Sequence, residues 1–130
     1  MKCVHYDILK EQCERLGVTI LEAYYLGYGI LGRFFPPNII LINVRLCNEH
    51  KLEQQKPVLV LLHEMCHWFK WKEHPDSLDV GDEEACFEFE VICDRVLNHD
   101  ESPTDDFEAV KRLGLDKPME FLNSVLNKVC

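Results

Sequence analysis

The sequence predicts an α+β domain in which a small mixed sheet packs on a central helix, with further helices toward the C-terminus. Three observations predict it. The run Asn38-Ile39-Ile40-Leu41-Ile42-Asn43-Val44 is rich in branched apolar residues and has the composition of a strand. The segment Val58 to Phe69 is apolar on nearly every side, as a helix in the middle of a fold must be. Beyond Gly81 the apolar residues recur at helical spacing.

Taken in order, Ile8, Leu9, Cys13 and Leu16 follow a helical period from His5 to Leu16, and Gly17 is placed to end that helix. Val18 to Leu21 reads as a short strand. Tyr24 to Phe35 mixes aromatics with Gly27, Gly29 and Gly32, which favours strand edges and turns. The Asn38–Val44 strand is expected inside the sheet or lining a cleft. A polar loop from Asn48 to Lys56 leads to Pro57, whose missing N–H suits the first turn of a helix that breaks before Pro75. A second polar loop reaches Gly81, a helix follows over about Asp82 to Asn98, Ser102-Pro103-Thr104-Asp105 caps a third, and Asp116-Lys117-Pro118 starts a fourth. With no repeat or linker, residues 1–130 read as a single domain.

Acidic residues outnumber basic ones 23 to 14, giving a net charge of −9, which argues against direct nucleic-acid binding. No apolar run approaches the ~20 residues of a membrane span, and the first residues do not resemble a secretory signal. The seven cysteines (Cys3, Cys13, Cys47, Cys66, Cys86, Cys93 and Cys130) form no CxxC pair and read as reduced thiols, several of them core residues. A cytoplasmic location is the expectation.

His63 and His67, in His63-Glu64-Met65-Cys66-His67, stand four residues apart, so a helix brings both imidazoles to one face, close enough to share a metal ion. Glu64, on an adjoining face, is placed to take a proton from an attacking water and pass it to the leaving nitrogen of a peptide bond. Inside an apolar helix these three residues cost free energy unless a metal or partners satisfy them. Catalytic zinc usually takes three protein ligands, so a third is expected elsewhere. The helix from Asp82 offers Glu83, Glu84, Glu88 and Glu90. At about 100° per residue, Glu84 and Glu88 fall on the solvent face, away from the arc of Ala85, Cys86, Phe89, Ile92, Cys93, Val96 and Leu97. Glu83, Glu90 and Asp94 cluster at the border of that arc, and Glu90 with Asp94 makes the better pair. Glu83, Glu84 and His74 stay open as other third ligands.

Glu90-Val91-Ile92-Cys93-Asp94, downstream of the histidine motif, resembles the gluzincin peptidases, which join H-E-x-x-H to a later glutamate in an E-x-x-x-D type of helix. The resemblance implies a zincin-like fold, zinc held by His63, His67 and Glu90, Glu64 as the catalytic base, and Asp94 orienting His63 from behind. A carboxylate that fixes the imidazole tautomer is also physically sensible in its own right. Within the class, Ile40-Leu41-Ile42-Asn43, the histidine motif and the Glu90/Asp94 helix are most similar to the ImmA/IrrE metallopeptidases over positions 38 to 97. That similarity implies an intracellular protease that cleaves a repressor protein. Cys66 stands where those proteins commonly have glycine, and Cys93 where alanine is usual. Leu62 to His67 also resembles the SprT-like proteases, whose third ligand is a later histidine followed by glycine; here His74 is nearer and Pro75 follows it. The metzincin spacing is absent, because Lys70 and Glu73 occupy its glycine and histidine positions.

The expected function is therefore a zinc-dependent peptidase acting on an intracellular protein or peptide. The alternative is a zinc-bound binding module with a peptidase fold and no turnover. Tyr24, Tyr25, Tyr28, Arg45 and His99 are candidate donors to a developing oxyanion. The Asn38–Val44 strand is a candidate edge for pairing with an extended peptide. Trp68, Phe69 and Trp71 are expected in the core.

Overall fold

The computed structural model describes residues 4–43, 45, 47, 56–75, 81–99 and 107–129, without the side chains of 81, 82 and 129. It is an α+β arrangement of five helices and a three-stranded mixed sheet among these residues. The expected loop at 48–55, the loop between residues 76 and 80 and the cap at Ser102–Asp105 lie outside them.

Helix α1 (Tyr6–Arg15) buries Leu9 and Cys13, one turn apart on one face, and ends where Gly17 adopts φ of 92°. Its N–H donates to the Glu14 carbonyl, the left-handed ending that glycine permits without strain. The chain then enters β1 (Thr19–Ala23), passes through turns to β2 (Gly32–Phe35), and returns through Pro36, Pro37 and Asn38 into β3 (Ile39–Asn43). β3 lies in the middle, parallel to β1 and antiparallel to β2. Its branched, alternating side chains suit that place: Ile40 and Ile42 are buried, and Ile20 of β1 faces the same way. The interior position expected for this strand holds, but it is not an edge. Both of its flanks are already hydrogen-bonded, so an extended peptide has no free side of β3 to join.

Helix α2 (Lys56–Glu73), with Pro57 in its first turn, packs against β2, β3, α1 and two later helices. Every residue from Val58 to Cys66 is buried, as the all-round apolar sequence requires. Trp68 is buried, Phe69 packs against the core, and Trp71 meets Phe34 edge-on. Helix α3 (Gly81–Asn98) turns the whole expected apolar arc inward, including Cys86 and Cys93 at 0% exposure. Helices α4 (Phe107–Leu113) and α5 (Asp116–Val129) close the core with Val110, Leu122 and Val125, joined by the buried Leu115 between them. Lys70 of α2 donates to the carbonyls of Leu113 and Gly114, tying the end of α4 to the central helix. All five described cysteines are buried free thiols. No described helix is long and apolar enough to cross a membrane.

Candidate metal centre

Three polar residues of α2 lie where it is enclosed: His63 is 9% and Glu64 7% exposed, and His67 is half-buried. Burying three such groups is costly unless each is met by a partner. The partners come from α3. Glu83, in the first turn of that helix, places Oε1 3.1 Å from His63 Nε2 and Oε2 3.0 Å from His67 Nε2. Two turns farther on, Glu90 Oε1 lies 3.2 Å from His63 Nδ1. That contact has ion-pair range but not hydrogen-bond alignment, so the buried Nδ1 has no formed hydrogen bond. One nitrogen of His63 therefore faces each glutamate, and of the two, Glu83 reaches both histidines.

This arrangement differs from the expected one by two helical turns. Glu83, kept among the other candidates, sits where Glu90 was expected. Glu90 sits behind His63, where Asp94 was expected. Asp94 has no contact with His63; it accepts a hydrogen bond from Asn98 at 2.5 Å and lies 3.9 Å from His99. Glu84 is exposed, Glu88 is half-buried, and neither joins the cluster. His74 is exposed just past the end of α2 and is also outside it.

The charges shape each other. Burial opposes a charged His63, but Glu90 beside it, with Glu64 and Glu83, outweighs this and raises its pKa. Burial lifts Glu64 to about 7; His63 pulls it down, Glu83 and Glu90 push it up, and the Phe34 backbone N–H pulls it down again. A carboxyl poised there both accepts and releases a proton near neutrality.

A cleft of about 450 Å³ opens over these side chains, walled on the other side by Ile30 to Phe34. The alternation of β2 explains what that wall presents. Asn43 N–H donates to Leu31 O, so residues 31, 33 and 35 turn their backbone groups toward β3, and Gly32 and Phe34 turn theirs toward the cleft. Gly32 is required for the close approach: a Cβ there would lie 2.7 Å from Val60 Cγ1 and 3.2 Å from Glu64 Cγ. Asn43, buried at the end of β3, donates from Nδ2 to the Ile30 carbonyl and holds the loop that enters this wall. Sequence reasoning read Gly32 only as a mark of strand edges and turns and gave Arg33 no role; a glycine opening a strand beside aromatics was the available signal for the close approach.

No family model matches this chain, and neither a characterised protein nor a solved structure shows significant similarity to it. The chemistry is carried by the side chains themselves. Two imidazole nitrogens and one carboxylate oxygen, mutually within 4.8 Å, make a His₂Glu donor set. Ligand atoms about 2.0–2.2 Å from a tetrahedral zinc stand roughly 3.3–3.6 Å apart, so the carboxylate oxygens, at 3.0–3.1 Å from the two Nε2 atoms, are within a few tenths of an ångström of that spacing. The Nδ1 left without a hydrogen bond fits as well: a metal on Nε2 puts the ring proton on Nδ1, facing Glu90. The expected oxyanion donors lie elsewhere. Tyr24, Tyr25, Tyr28 and Arg45 surround a separate cleft of about 200 Å³, and His99 lies beyond the end of α3.

Proposed function

We propose that this chain is a zinc-dependent peptidase of the zincin-like kind, in which His63, His67 and Glu83 hold the metal and Glu64 is the catalytic base. The observation that carries the reading is Glu83, whose two carboxylate oxygens meet the Nε2 atoms of both histidines at 3.0–3.1 Å. A zinc ion there supplies Lewis-acid polarisation of a water molecule and of a scissile carbonyl. Glu64, at the cleft floor, accepts the proton of the attacking water and delivers it to the departing amine. Glu90 holds His63 in one orientation through Nδ1. An extended peptide pairs with the outward backbone groups of Gly32 and the Phe34 carbonyl on the edge of β2 that no described strand occupies, which brings one of its peptide bonds over Glu64. The resemblance to gluzincins, and to the ImmA/IrrE peptidases among them, supports an intracellular protein as substrate.

Purified protein should carry about one zinc per chain and cleave an unfolded protein such as reduced casein. Glu64→Gln should keep the zinc and abolish cleavage. Full zinc with no cleavage by the parent protein favours a binding module of the same fold.

A further inference from the structure

The cleft is lined by three glutamates, and the β2 backbone that walls it carries Arg33. In a chain of net charge −9, an arginine has carboxylates in plenty to pair with, yet Arg33 makes no ion pair among the described residues. Its place in the sheet explains why. Gly32 and Phe34 face α2, so Arg33 projects from the opposite face, where its neighbours across the sheet are Leu41 and then Leu21. Its guanidinium lies 5.7 Å from the ring centroid of Phe35, two residues along on the same face. That contact limits its freedom and leaves its N–H donors unspent.

We propose that Arg33 selects an acidic side chain in the substrate, at the residue lying directly across the free edge of β2; the inference rests on the peptide-pairing reading above. For a peptide running antiparallel to β2, Gly32 and Phe34 supply the backbone groups on that edge, so the position opposite Arg33 lies between hydrogen-bonded pairs. Facing side chains approach most closely there and share a face. A carboxylate at that position meets an arginine that no described carboxylate pairs, whereas a lysine meets like charge.

The test uses labelled decapeptide pools of mixed sequence, each with Glu, Gln or Lys fixed at one central position. Binding to the zinc-supplemented Glu64→Gln protein is read by fluorescence anisotropy, and cleavage by the parent protein is followed in parallel. At one position the Glu pool should bind about two- to fivefold more tightly than the Gln pool, and the Lys pool more weakly still. Adding Arg33→Lys should preserve the ranking, Arg33→Ala should flatten it, and Arg33→Glu should reverse it. Because Arg33 is exposed, these variants should match the parent in zinc content and fold. No binding, no ranking, or a ranking untouched by Arg33→Glu overturns the inference. A ranking without cleavage counts against the peptidase reading and leaves Arg33 in place; cleavage without a ranking does the reverse.

Discussion

Glu90 Oε1 lies 3.2 Å from His63 Nδ1, the ring nitrogen that faces away from Glu83. The two glutamates are seven residues apart on α3, two turns along one face, so a single histidine is gripped from both sides by one helix. The roles that follow are different. Glu83→Ala should abolish stoichiometric zinc binding. Glu90→Gln should keep one zinc per chain but weaken it about 10- to 100-fold in a competition titration with a chelator. Asp94→Ala should change neither. Equal losses in Glu83→Ala and Asp94→Ala would contradict the assignment.

Glu64 sets a pH dependence on the metal-free protein. Its carboxyl is raised from 4.5 to about 7, so the neutral form is favoured in the folded state. That contribution is fully present below pH 4.5 and is lost as pH rises through about 7. His63, also raised, acts in the same direction. Urea denaturation in excess chelator should therefore show the parent protein losing stability from pH 5 to 8. Glu64→Gln, which cannot ionise, should lose on the order of 2–3 kcal/mol less over that range. Parallel pH profiles would count against the burial of this carboxyl.

The site was only partly legible in the sequence, for physical reasons that differ between residues. Helix α2 could be read because its composition leaves no polar face, and the pairing of His63 with His67 follows from helical pitch alone. The choice between Glu83 and Glu90 could not be made that way. Both lie on the same border of α3, and only the crossing of α2 over α3 decides which turn stands opposite the histidines. Strand β3 was identifiable from its branched residues, but composition does not say which strands flank it. The edge therefore fell to β2, where Gly32 and three bulkier residues give a weak strand signal.

Gly32 gives a third prediction. Gly32→Ala must displace either Val60 or Glu64, given the 2.7 and 3.2 Å approaches of the added methyl group. We expect zinc content to persist while kcat falls by up to about a hundredfold, because the base moves relative to the bond it serves. Steady-state kinetics beside metal analysis checks this, and unchanged kcat would mean that Glu64 has room to spare.

The thiols provide a control on the fold. Cys13, Cys47, Cys66, Cys86 and Cys93 are buried, and burial pushes the thiols of Cys13, Cys47 and Cys93 up, away from the reactive thiolate. In native protein at pH 8 a disulfide reagent should leave these five unmodified, and denaturant should expose them together. Rapid modification of Cys66 or Cys93 before unfolding would contradict the packing of α2 on α3.

The most direct test of the central claim is elemental analysis of protein purified without added metal, with His63→Ala, Glu83→Ala and Glu90→Gln prepared alongside. The account predicts about one zinc per chain in the parent and in Glu90→Gln, and almost none in His63→Ala and Glu83→Ala. A parent protein without zinc that also fails to take it up, or a Glu83→Ala variant that keeps a full complement, would contradict it.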